Sequence, residues 1–531
     1  MKNFVPRLRT RRLTGKLFSI AGIIAVLFFL FVYLFPWIET DNGKVIACGC
    51  LTVLAVYVVG FALWMKKNRE PDAAEFFLIT AIPLSAIFLI LFPHNCFVDN
   101  KTHFIAVYRL SNLLMGKGEW LARADDLHFM NDYWPDVAAP GTKEYQSLIN
   151  AASWLIKDET LVDIVRHEDK MKFYSIVSYL PEVLGFTLAR LLKLGTVPSL
   201  YLSRLFLNVF YIFACFRAIR IMPYGKYAVA FTALLPESLH IAGAFSYDGM
   251  AVCCSLCFLA GCFNVADSVR KGSKPADGKK TGLFTRELVS CLIWSFAIAS
   301  VKGGGYFFLL MPLAFLCASR KNPRSFIRPL MIIGAGLLSV LIFNVIVTYG
   351  VSLFQLGGEE GNLTTAFAFQ NPLSYLIMAA YEYVWNVEVI FMGITGGMLS
   401  WGDFVIPDVL VAALVVIMFA YLVFEKDDGR FIRKNRKFMI MSVVLAVLIT
   451  PAMLLSSTKV DARNITGMQG RYFTPFIPLV MILITKFKIH RKALAAADER
   501  VLNKIRRRLL TGVAAFLCIF VYLMVDRYLK R

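Results

Sequence analysis

The stretch VIACGCLTVLAVYVVGFALW, residues 45–64, runs without a charge and is followed at once by Lys66, Lys67 and Arg69. At about 1.5 Å per residue it crosses the roughly 30 Å hydrocarbon core of a bilayer. The run repeats in kind at 74–92, 174–192, 199–221, 228–246, 249–266, 287–301 and 305–318. It recurs again at 329–349, 406–424, 438–456, 473–486 and 509–526. One more run, Leu17–Pro36, follows a basic leader with Lys2, Arg7, Arg9, Arg11, Arg12 and Lys16. Trp37-Ile-Glu-Thr40 comes next instead of a small-residue cleavage site, so that run is expected to be a retained anchor.

Composition says the same. Of 531 residues, 58% are apolar and 18% charged, with a mean hydropathy of +0.62. Soluble domains are about 45–50% apolar and about 25% charged. A cytosolic enzyme, a disordered chain and a secreted disulfide scaffold are excluded. The expected fold class is an all-α polytopic membrane protein with about 11–14 transmembrane helices and one outer-face loop insertion. The net charge of +21 belongs to cytoplasmic loops that also meet anionic lipid. No basic region is interleaved with an aromatic platform, so nucleic acid is not an expected partner. Cys254-Ser-Leu-Cys257 has redox spacing but lies inside an apolar run, and reads as small apolar packing.

Lys/Arg bias orients the chain. The leader, Lys66–Arg69, the loop Arg270–Lys280, Arg320–Arg324, Lys426–Lys437 and Lys486–Arg508 read as cytoplasmic. Residues 350–406 contain no Lys or Arg and read as outer, as does the acidic segment 93–172. The expected organisation is an N-terminal membrane part (1–92, cytoplasmic N-terminus), an extracytoplasmic loop with an amphipathic helix (93–172), and a membrane helical domain (173–531). Parity then requires that one of the runs 174–192, 199–221 and 228–246 does not fully cross. The apolar region 373–400 has two outer flanks, so it re-enters or lies along the interface. Trp120, Tyr133, Trp134, Tyr145 and Trp154 suit an insertion resting on the membrane surface.

Polar residues at the outer ends of these runs are the candidates for chemistry. Asp99-Asn-Lys-Thr-His103 follows the third run, and Arg109 lies on the amphipathic helix after it. A carboxylate held there can deprotonate an acceptor hydroxyl, with His103 one turn on to orient it or touch a phosphate; the competing reading is a helix cap. Ser246-Tyr-Asp248-Gly stands between two runs with almost no loop, and an ionisable residue there is a functional candidate or a cap. Asp99 and Asp248 facing one cavity could share a divalent cation such as Mg or Mn. Gln469-Gly-Arg471-Tyr472 puts an arginine on the wrong side for topology, where it binds an anion or snorkels to headgroups. Lys302-Gly-Gly-Gly305 offers a second cation on a turn through which a ligand can approach the backbone, or is a plain hairpin turn. Glu237, His240 and Glu182 line a polar cavity or pair with one another.

Together these pieces resemble a family. They are Phe97-Val-Asp99-Asn-Lys-Thr-His103, Leu202-Ser-Arg204-Leu, Phe245-Ser-Tyr-Asp248 and Val301-Lys302-Gly-Gly-Gly-Tyr306, followed by Leu399-Ser-Trp401-Gly-Asp403 and Gln469-Gly-Arg471-Tyr472. In this order they are similar to an uncharacterised family of bacterial polytopic membrane proteins (domain of unknown function two-one-four-two), grouped with the GT-C glycosyltransferases. The family's first outer loop usually reads Asp-Glu-x-x-His; here Asn100 stands in place of the Glu. The resemblance implies a GT-C-like fold in a bacterial plasma membrane. It also implies transfer of a sugar from a polyprenyl-phosphate-linked donor to a glycan or lipid acceptor on the outer face. Asp99 would be the base with His103 beside it. Arg109, Asp248, Lys302, Trp401, Asp403, Gln469, Arg471 and Tyr472 would bind substrate or phosphate. Two other classes compete: a flippase or exporter of lipid-linked sugar, and a non-catalytic subunit of a polysaccharide assembly system.

Overall fold

The computed structural model describes Asp41 to Leu529, apart from residues 69, 95, 98, 119, 133–142, 144–154, 165–175, 273–283, 319–325, 347–360, 401, 403, 426–429 and 486–497. The anchor Leu17–Pro36, Trp401 and Asp403 lie outside the described residues. The rest is a helical membrane protein. Among the described residues, seven helices are long and apolar enough to cross a bilayer, or eight if a bent pair counts as one span. Shorter apolar helices lie at Ile327–Phe343, Asp408–Phe424 and Gly470–Thr485.

The helices are α1 (Asp41–Lys67), α2 (Ala73–Leu91), α3 (Asn100–Leu114), α4 (Ala124–Asp132), α5 (Leu180–Leu191), α6 (Thr196–Ile221), α7 (Lys226–Ala233), α8 (Pro236–Ile241) and α9 (Tyr247–Gly272). After them come α10 (Arg286–Ser300), α11 (Gly305–Leu310), α12 (Ile327–Val340), α13 (Pro372–Trp385), α14 (Val387–Thr395), α15 (Asp408–Phe424), α16 (Arg430–Met453), α17 (Ile477–Thr485) and α18 (Glu499–Leu529). Two small antiparallel ribbons join them. β1 (Leu121–Arg123) pairs with β2 (Leu161–Asp163), and β3 (Met398–Leu399) with β4 (Phe404–Val405).

One end of the bundle is tied by polar contacts between loops. Arg507 donates to the carbonyls of Met65 and Asn68, Tyr227 Oη to Pro71 O at 2.9 Å, and Tyr224 Oη to Asp267 at 2.6 Å. The Tyr227 amide is held by Glu425 at 3.1 Å. The starts of α7 and α18 therefore lie with the ends of α1, α6, α9 and α15. This is the end that carries Lys66, Lys67, Arg270, Lys271 and Arg506.

The crossing fault resolves at the first of the three runs. Helix α5 has 12 residues, about 18 Å of length. Both its ends touch the 93–164 segment: Tyr179 at its start bonds His103, and Lys193 O beyond its end accepts from Ile156 N at 2.9 Å. It therefore begins and ends on one side. The run 228–246 reaches from the Glu425 end of the bundle to the Asp248 end, as the broken pair α7–α8, and every residue from Tyr227 to Ser246 is buried. A helix broken inside an apolar interior must satisfy its freed carbonyls. Ser238 Oγ donates to Thr232 O at 2.7 Å, Tyr211 Oη to Ala233 O at 3.1 Å, and buried Arg204 to Gly243 O and Phe92 O. Helices α13 and α14, in the region expected to re-enter or lie at the interface, bend by 67° at the break between them.

The insertion shares an aromatic core with α5 and the turn before α9, formed by Phe104, Tyr108, Phe129, Tyr179, Phe186 and Phe245. It docks on the start of α6 through Asp126, which accepts from Tyr108 Oη and Thr196 Oγ1 at 2.7 Å and pairs with Arg123 at 2.6 Å. All eleven cysteines are free thiols, and Cys257 Sγ rests on Ala214 O within the helix packing.

Candidate functional site

Three chain segments each bring one charge to the other end of the bundle. Asp248 is in the first turn of α9, where the helix dipole favours an acid, and its amide donates to Ser246 Oγ at 3.1 Å. Lys302 sits on the tip between α10 and α11. The chain doubles back there, since Gly304 lies beside Val340 and Phe307 beside Gly336, one helical turn lower on α12. Lys302 (φ 49°), Gly303 (φ 62°) and Gly304 (φ 82°) are all left-handed. A lysine in that region is strained, and such strain concentrates at functional sites. Arg471 lies in the turn Gly470–Phe476 ahead of α17. Gly470 is required here: a Cβ would stand 2.2 Å from Ile390 O, so only glycine lets α14 press on this turn.

The three charges meet. Asp248 Oδ1 is 2.5 Å from Lys302 Nζ, and Oδ2 is 3.0 Å from Arg471 Nε. The Asp248 side chain is 7% exposed, Lys302 18% and Arg471 16%. Two cations against one carboxylate leave an excess positive charge at a mostly dry rim. Around Lys302 Nζ stand the rings of Tyr472 at 4.5 Å, Tyr247 at 4.8 Å and Tyr306 at 5.7 Å, within cation–π range. Tyr247 and Tyr306 had no role assigned from the sequence, although each lies within a quoted motif.

Asp99 begins α3 in the left-handed region (φ 57°) and its side chain makes no capping bond, so the cap reading fails there. Its carboxylate is exposed and acts electrostatically on Lys302 and Tyr472. Asn100 turns inward and donates to His94 O, a role its amide can fill and a carboxylate cannot. His103 is buried; its Nδ1 is 2.6 Å from Tyr179 Oη and its ring meets Tyr247 edge-on at 4.6 Å. Burial lowers the His103 pKa to about 4; Asp248 opposes the shift, and Lys302 and Arg471 add to it. The ring is thus neutral at pH 7. Arg109 stands apart, with its guanidinium stacked 4.0 Å over Trp120.

Gln469 lines a cleft of about 190 Å³ behind Arg471. Glu237 and His240, expected to line a polar cavity, are both on its wall, with His240 Nδ1 3.6 Å from Glu237 Oε2. Phe97 closes one side, its ring stacked on His240 at 4.3 Å. Glu182 is elsewhere, on α5, fully buried.

The charge pattern fits an anion better than a divalent cation. Both Asp248 oxygens are already held by cations, and among the described residues no three His, Cys, Asp or Glu side chains converge. A metal shared by Asp99 and Asp248 would have to displace Lys302 or Arg471. Comparison with proteins of curated function finds no match. The family model described as "Predicted membrane protein (DUF2142)" matches residues 83–480, from the second half of α2 into α17, and so takes in every site residue above. The chain belongs to that family of membrane proteins.

Proposed function

We propose that this protein is a membrane glycosyltransferase that moves a sugar from a polyprenyl-phosphate-linked donor to a glycan or lipid acceptor. The observation that carries the reading is the pair of buried-rim cations, Lys302 and Arg471, clamped by Asp248 within electrostatic reach of the exposed Asp99. Lys302 and Arg471 hold the donor phosphate and stabilise the charge that develops as the sugar–phosphate bond breaks. Asp99 takes the proton from the acceptor hydroxyl as that oxygen attacks the anomeric carbon. Asp248 keeps both cations in place and is not itself a base, because its two oxygens are occupied.

An apolar approach supports a lipid-linked donor. Val389 lines the cleft yet is 42% exposed, beside exposed Val384, Trp385 and Val387 on α13 and α14. A polyprenyl chain lying on that face ends at the cleft. The Lys/Arg-rich opposite end is the cytoplasmic one under the positive-inside rule, which puts the site on the outer face.

The test is reconstitution in liposomes with polyprenyl-phosphate sugars. Transfer gives a new glycoside and free lipid phosphate, and Asp99→Asn abolishes it. Movement of unchanged lipid across the bilayer would make the protein a transporter; neither activity would leave it a non-catalytic subunit.

A further inference from the structure

The cleft behind Arg471 carries more polar groups than a phosphate requires. His240 is 3% exposed, and neither ring nitrogen has a hydrogen-bond partner. Glu237 is 5% exposed, lies 3.6 Å from His240, too long for a hydrogen bond, and acts electrostatically on Arg471. Gln469 Oε1 is buried and also without a partner. Unmade bonds on buried groups are costly, so both ring nitrogens of His240 and Oε1 of Gln469 on one wall point to a ligand that completes them.

The fold builds this wall with some care. Gly396 (φ 82°) puts α14's end against α8, where a Cβ would lie 2.3 Å from Glu237 N. Gly470 lets the same helix close on Gln469 and Arg471. Both glycines narrow the cleft to its size. At about 190 Å³ the cleft has the room of one sugar ring.

Hydrogen bonding selects among ligands. A phosphate dianion carries no donor for Gln469 Oε1, and a lipid tail would leave every polar atom unpaired. A neutral ring with several hydroxyls can donate to Glu237 and Gln469 and exchange a bond with His240, while its apolar face lies on Phe97. Arg471 lines the same cleft and belongs to the cation clamp, so a ring there is one bond from a phosphate on the clamp.

We infer that Glu237, His240 and Gln469 form a monosaccharide subsite that reads the hydroxyls of the sugar carried by the phosphorylated lipid. This rests on the proposed donor but concerns binding, not transfer. The experiment measures lipid binding to the full chain in nanodiscs by native mass spectrometry. One probe is bare polyprenyl phosphate; the others are the same lipid bearing a hexose, an N-acetylhexosamine or a pentose. The native protein is expected to prefer one sugar-bearing lipid over the bare lipid by tenfold or more. Glu237→Gln and Gln469→Leu are expected to remove that preference while leaving bare-lipid affinity within twofold. Arg471→Ala is expected to weaken both lipids. Native protein that binds all four lipids alike, or variants that lose bare and sugar-bearing lipid together, would overturn the subsite. A preference that persists without any glycoside product would instead count against the transfer reading and keep the subsite. Unfolding midpoints of the two variants within a few degrees of the native value exclude a folding artefact.

Discussion

The Asp248 carboxylate closes on the Lys302 ammonium at 2.5 Å while its other oxygen holds Arg471 at 3.0 Å. Removing the acid leaves two cations facing each other near the bundle interior. Breaking a buried ion pair costs about 3–5 kcal/mol because the remaining charge is uncompensated. Asp248→Asn is therefore expected to lower stability by about 3 kcal/mol, and Asp248→Asn with Lys302→Met by much less than the sum of the two single changes. Thermal unfolding of the three variants in one detergent checks this. Additive effects would show that the pair is not coupled.

Asp99 separates activity from stability. Its side chain makes no capping bond and its φ of 57° is strained. Asp99→Asn is expected to lose at least about a hundredfold in transfer, the lower range of general-base contributions, with an unchanged unfolding midpoint. Asp99→Gly is expected to be equally inactive and stable to within about 1 kcal/mol, since relief of left-handed strain offsets the freedom gained by the unfolded chain. Transfer assays beside unfolding curves decide it; full activity in either variant removes the base assignment.

His103 makes stability fall in acid. Its pKa is lowered to about 4 in the folded protein, against about 6.5 unfolded. Below pH 6.5 the unfolded chain takes up the proton first, so stability is lost as pH falls from about 6.5 to about 4 and is fully present above that window. The contribution is of the order of 3 kcal/mol. His103→Gln is expected to flatten the pH dependence of the unfolding midpoint between pH 6.5 and 4. An unchanged slope would show that other groups dominate.

Two glycines near the site should respond to different degrees and for different reasons. Gly470→Ala puts a Cβ 2.2 Å from Ile390 O and must push α14 off the Arg471 turn. It is expected to cost about 1–3 kcal/mol or more and to disturb substrate binding. Gly303→Ala has open space and is expected to cost only the left-handed penalty, about 1–2 kcal/mol. Expression and unfolding of the two variants test the contrast; equal losses would show that packing at Gly470 is not tight.

Much of this protein can be read along the chain. Bilayer thickness is a local criterion, so apolar runs such as 45–64 and 249–266 identify their helices without any partner. The hairpin tip at Lys302 is equally local, because a glycine cluster marks it. What periodicity could not say is which of three apolar runs stops short. Helix α5 and the crossing α7–α8 look alike in hydropathy, and they differ only in what their ends touch: Ile156 and His103 for one, Glu425 and Asp248's neighbours for the other.

Residue types alone marked Asp99, Asp248, Lys302 and Arg471, because a charge at a membrane rim is costly and needs a reason. Their order in the chain did not say that Asp248 would occupy both cations and leave Asp99 as the exposed carboxylate. Nor did it say that Arg109 would lie on Trp120. Those outcomes depend on side-chain distances between segments far apart in sequence. Such distances are set by how closely glycines at 396 and 470 allow the helices to approach, and that is a property of the packed structure.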